Sequence, residues 1–115
     1  MTVEEIARAC HEVNRGYCRT IGDESQVAWE DAPEWQRKSA MSGVEMHIKG
    51  MTSPEESHEA WLAMKVLDGW IWGPEKNPEK KQHPCIMDYH DLPRDQRVKD
   101  HLFKSVVQIL TREDL

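Results

Sequence analysis

Six histidines and three cysteines invite a metal site, so their spacing comes first. His83-Pro84-Cys85 sets a His and a Cys two apart. A zinc deaminase needs a second thiol in P-C-x-x-C, but Ile86, Met87 and Asp88 follow Cys85, and His58-Glu59 is not H-x-E. Cys10-His11 and Cys18 form no C-x-x-C unit either. No metal or cofactor is therefore expected. Nucleophilic catalysis has no better footing, because no elbow motif frames any Ser or Cys. Glu4-Glu5 and Glu55-Glu56 are paired carboxylates, yet both pairs fall in the first turn of an expected helix, where the dipole accounts for them. Without a base, a nucleophile and an orienting group together, no enzyme activity is expected.

The tryptophans point elsewhere. Trp29, Trp35, Trp61, Trp70 and Trp72 make five in 115 residues, against a single Phe. Such residues can plug a small core. They can also form a stacking platform, where an indole face holds a base at ~1–3 kcal/mol and nearby cations hold phosphate. Trp61 and Lys65 stand four apart, on one face of a helix. Asn14 and Tyr17, three apart, make a second polar-aromatic pair. Lys76, Lys80 and Lys81 lie in a charged loop, read as a solvated turn or as a cationic lip beside an aromatic pocket.

The elements that must position these residues are mostly helices. Val3, Ile6, Ala7, Cys10, Val13, Tyr17 and Ile21 recur at helical steps, with Thr2 as cap and Gly22 as stop. A loop with Trp29 as its apolar anchor follows. Pro33 opens a second helix, which Gly50 ends. Ser53, Pro54 and Glu56 form a capping-box start for a third helix that runs to Leu67 or Asp68 before Gly69. Trp70-Ile71-Trp72 and Ile86-Met87 read as two short strands joined by the charged loop. Leu92-Pro93 opens a fourth helix carrying Val98, Leu102, Phe103, Val106, Val107, Ile109 and Leu110. No internal repeat is evident, and there is no Gly-rich phosphate loop.

Length and charge bound the rest. The length of 115 residues suits one domain, residues 1–115. A net charge of −6 disfavours binding along a nucleic-acid duplex. No apolar run approaches a membrane span, and the acidic N-terminus is unlike a signal peptide. The expected setting is cytoplasmic, with Cys10, Cys18 and Cys85 reduced and partly buried.

Taken in order, these residues resemble a known family. Ser57-His58-Glu59-Ala60-Trp61-Leu62-Ala63-Met64-Lys65, Asp68-Gly69-Trp70-Ile71-Trp72-Gly73-Pro74, His83-Pro84-Cys85-Ile86-Met87-Asp88-Tyr89 and Leu92-Pro93 are similar to the repeat domain of ryanodine receptors. Trp72 stands where the family usually has Tyr, and Ile86-Met87 where it has Leu-Val. The resemblance covers about residues 55 to 110, and the first fifty look like the N-terminal half of stand-alone bacterial and phage members. It implies an α+β module, mainly α, in which helices pack with a short two-stranded antiparallel ribbon. It also implies a non-enzymatic module. In one receptor repeat pair a pocket is associated with adenine nucleotides. Its tryptophan matches Trp61 and a basic residue matches Lys65, while a second receptor arginine falls at Cys85.

The expected function is a binding module for a nucleotide-like small ligand, used for sensing or sequestering a nucleotide signal. Trp61 would stack on a base, Lys65 would touch phosphate, and Trp70, Trp72, Asn14 and Tyr17 would shape the walls. The alternative is a protein-interaction or self-association module using the same aromatic surface.

Overall fold

The computed structural model describes residues 1–50 and 53–111. Helix α1 spans Val3–Thr20, α2 Glu34–Ile48, α3 Pro54–Leu67 and α4 Arg94–Leu110. Short 3-10 turns at Trp29–Asp31 and Tyr89–Asp91 precede α2 and α4. Strands β1, Ile71–Trp72, and β2, Gln82–His83, lie between α3 and the second turn.

Local chemistry sets the helix ends. The Thr2 hydroxyl accepts from the Glu5 N–H at 3.1 Å, and Glu5 accepts the Thr2 N–H at 2.9 Å. At α3 the Ser53 hydroxyl accepts from the Glu56 N–H and donates to its carboxylate. Gly22, Gly50 and Gly69 follow α1, α2 and α3 at φ of 85°, 122° and 89°, the left-handed region where a helix closes on glycine. Pro33 and Pro93 occupy the cap positions, one residue before their helices begin.

The main core joins Ile6, Ala7 and Cys10 of α1 to Trp29, Val44 of α2 and Val107 of α4. Helix α1 packs along both α2 and α4, while α3 rests on α4 and the second turn. A smaller cluster, Cys85, Tyr89 and Leu92 with Trp61 and Met87 against it, lies beneath α3. Among the described residues no helix is long and apolar enough to cross a membrane.

The ribbon differs from expectation in two ways. Its strands are parallel, not antiparallel, pairing Ile71 with Gln82 and Trp72 with His83. The second strand is Gln82–His83; Ile86 and Met87 lie in irregular chain after it. Both differences have one cause. Asn77 and Gln82 exchange backbone hydrogen bonds at 2.8 and 3.0 Å, so the charged loop reverses within itself before it reaches β1. Gln82 then meets Asn77 antiparallel on one side and Ile71 parallel on the other. The strands approach so closely that a Cβ on Gly73 would stand 2.6 Å from that of Gln82, so only glycine fits there.

Candidate functional site

Two helix–turn–helix halves, built alike, face one another. In the first, His11 Nε2 of α1 donates to the Val27 carbonyl at 2.6 Å, and Glu12 accepts the Trp29 N–H at 3.1 Å. In the second, His58 Nε2 of α3 donates to the Met87 carbonyl at 2.7 Å, and Glu59 accepts the Tyr89 N–H at 3.3 Å. Each His-Glu pair therefore pins the 3-10 turn that launches the next helix. The turns match as well: Trp29, Asp31, Pro33, Gln36 and Arg37 correspond to Tyr89, Asp91, Pro93, Gln96 and Arg97. The sequence alone concealed this repeat, because the ribbon lengthens the path from His58 to Tyr89 relative to that from His11 to Trp29 and breaks the common offset.

A cavity of about 270 Å³ lies between the halves, just below the ~300 Å³ at which small-ligand sites begin. His11 and His58, and Gln36 and Gln96, line it from equivalent positions. Other equivalent positions have diverged. Asn14, Ser39, Ala40 and Gly43 of the first half face the cavity where the second half places Trp61, Lys99, Asp100 and Phe103. At these four positions one half supplies space and the other supplies aromatic, cationic and acidic groups. A Cβ on Gly43 would come within 3.1 Å of the Phe103 ring.

The six residues singled out from sequence divide. Trp61, Lys65, Trp70 and Asn14 line the cavity. Trp72 lies outside its lining and is 54% exposed on β1. Tyr17 is also outside the lining, and its hydroxyl donates to the Asp95 carbonyl at 2.8 Å, tying α1 to the first turn of α4. Trp61 is the central wall, with its ring 5.5 Å from that of His58 and 5.1 Å from that of His83. Lys65 sits between two indoles, its Nζ 4.5 Å from the Trp35 ring and 4.8 Å from the Trp70 ring, within cation–π range. Trp70 is buried, and its indole N–H donates to Asp68 at 3.2 Å.

Sequence reasoning missed Lys99, Asp100, His83 and Trp35 and read Lys76 only as part of a charged loop; all five line the cavity. Lys65, Lys76 and Lys99 have no carboxylate within 4.0 Å among the described residues. Burial and the nearby Lys76 charge lower the Lys65 ammonium, and burial likewise lowers that of Lys76. Burial, then the charges of Lys76, Lys99 and Lys65, push His83 down to about 3. His83 is therefore neutral, and its Nδ1 accepts the Cys85 N–H at 3.0 Å. Burial raises Asp100 to about 7, against the pull of Lys99. Lys80 is not part of the lining. Lys81, also outside it, donates instead to the Asp68 carbonyl at 2.7 Å.

A family model described as the RyR domain matches residues 40–112. The chain belongs to the RyR domain family. Within this RyR domain the matched span begins inside α2. It takes in Trp61, Lys65, Lys99 and Asp100 but leaves His11, Asn14, Trp35 and Gln36 outside. The match thus covers the lysines and the aspartate of the cavity lining, while much of the first half's contribution, Trp35 included, lies beyond it. Burial pushes Cys10 to about 12 and Cys85 to about 11, which makes both thiols poor nucleophiles at neutral pH. Among the described residues no group of three or more His, Cys, Asp or Glu could hold a metal.

Proposed function

We propose that this RyR domain is a non-enzymatic binding module for a nucleotide-like anion. The observation that carries the reading is the convergence of Lys65, Lys76 and Lys99 on one aromatic cavity in a chain of net charge −6. Burial and a neighbouring lysine charge lower the half-buried Lys65 and Lys76 ammonium groups, and Asp68 and Asp23 offset this only in part, so an anion between them would be stabilising. A phosphate placed there relieves the repulsion, and Trp61 offers its face to a base. The resemblance left one cation missing at Cys85. Lys99 stands near enough to act on that thiol, so α4 provides the charge from a different position. The use we infer is sensing or sequestering a nucleotide signal in a reducing cytoplasm, which suits three free, buried thiols.

The test is calorimetry with nucleoside mono- and diphosphates and cyclic dinucleotides on wild type and Trp61→Ala. Micromolar or tighter binding by at least one ligand, weakened about tenfold or more by Trp61→Ala, is the expected result. Absence of heat with every ligand would sink the reading.

A second reading rests on a different surface. Val66 and Leu67 at the end of α3 and Ile71 and Trp72 on β1 are 55%, 88%, 56% and 54% exposed. That apolar ledge suits a protein partner or a second copy. Light scattering on eluted protein separates the readings: a dimer dispersed by Leu67→Lys with nucleotide binding absent favours the second.

A further inference from the structure

The cavity has a polarity along its length. His58, Trp61 and Lys65 follow one another on α3, and His58 and Lys65 are about 10 Å apart along the axis. At the Lys65 end Lys76 adds charge, Lys99 acts on both His83 and Asp100, and His83 stays neutral. At the His58 end stands Asp100, its Oδ2 3.9 Å from His58 Nδ1. That separation exceeds a hydrogen bond. The hydrogen bond that His58 makes is through Nε2, to the Met87 carbonyl at 2.7 Å. Among the described residues no group donates a hydrogen bond to Asp100, and Lys99, beside it in sequence, reaches toward Cys18 instead. Asp100 is thus a carboxylate in the cavity lining with no hydrogen-bond donor to it among the described residues.

We propose that Asp100 reads the edge of the base and selects a guanine-type ring, one that presents adjacent ring and exocyclic N–H donors. The inference rests on the nucleotide reading above and deepens it. A carboxylate is an acceptor-only group that two parallel N–H donors satisfy together. The edge of guanine offers such a pair. Adenine offers an exocyclic donor beside a ring acceptor, which would set a lone pair against the ionised carboxylate. The His58 ring lies 5.5 Å from that of Trp61, and the pose this assignment requires stacks the base on the indole with its edge toward Asp100 and its phosphates toward Lys65 and Lys76. Unpaired polar groups in a closed site are what give strong discrimination. Burial raises the carboxyl to about 7, so the choice is sharpest above that pH.

The experiment is calorimetry at pH 8 with GDP, IDP and ADP on the full chain and on Asp100→Asn, with circular dichroism to establish that the variant is folded. GDP should bind 10–100-fold more tightly than ADP, as one or two charge-assisted hydrogen bonds would give. IDP, which lacks the exocyclic amine, should fall between them, a result that needs no substitution. Asp100→Asn should level the three while still binding. Equal binding of GDP and ADP by wild type, or a GDP preference that survives in folded Asp100→Asn, would overturn the assignment while leaving the nucleotide reading intact. Failure of all three to bind, together with the wider panel, would overturn both.

Discussion

Lys65 holds its charge against two indole faces, in a position that burial makes unfavourable. Its methylenes and the rings of Trp35 and Trp70 form one wall, so its removal costs packing as well as charge. Lys65→Met keeps the stem and removes the ammonium. It should weaken a nucleoside diphosphate about tenfold or more while leaving a neutral nucleoside nearly unchanged, as titration of both ligands would reveal. Asp100 and His83 make a second prediction, in pH. The folded pKa of His83 lies below its unfolded value, so its stabilisation is present above about 6.5 and is lost as pH falls toward about 3. The folded pKa of Asp100 lies above its unfolded value, so its contribution is present below about 3.8 and is lost as pH rises toward about 7. Between pH 4 and 6.5 the two slopes oppose. Asp100→Asn removes one of them, so its stability relative to wild type should rise by up to about 1.4 kcal/mol per pH unit across that window. Urea unfolding at half-unit pH steps reads that difference, and parallel curves for the two proteins would contradict it.

Elements rather than single groups hold the site's two ends in register. The His-Glu clamps on α1 and α3 fix where the turns before α2 and α4 begin, and those turns aim Gln36 and Gln96 at the cavity. His58→Ala orphans the Met87 carbonyl and removes a neighbour of Trp61. It should cost about 1–3 kcal/mol in stability and shift the tryptophan emission. The ribbon is the other device, since it brings His83 against Trp61 and Lys76 into the lining. Gly73→Val forces Gly73 and Gln82 apart and should weaken ligand binding at least tenfold even where the four helices persist by circular dichroism.

For the molecule as a whole, the cavity interrupts what would otherwise be one continuous core between the halves. Trp29, 4% exposed, belongs to the main core, and Trp29→Ala should cost about 3–5 kcal/mol in denaturant unfolding. The cavity is a local weakness that a ligand repairs. A nucleotide present at one hundred times its Kd should add about 2.7 kcal/mol, or roughly 10 °C in Tm. A thermal shift with GDP and ADP side by side reads that effect in one measurement.

The four helices were legible in sequence because their signals are local: 3.6-residue periodicity in α1 and α4, a Thr2 or Ser53 cap, a leading Pro33 or Pro93, and a glycine trailing α1, α2 and α3. Trp61 and Lys65 were legible together because four residues on a helix are neighbours by geometry alone. The ribbon was misread because a two-residue strand has no periodicity, and the direction of its pairing follows from the reversal at Asn77–Gln82. Trp72 and Tyr17 share the chemistry of a pocket wall, but strand face and helix phase carried both outside it. Lys99 and Asp100 looked like solvated charges on the fourth helix. Only the packing of α4 against α1 and α3 turned them inward, since whether a charge meets water or a cavity depends on elements distant in the chain.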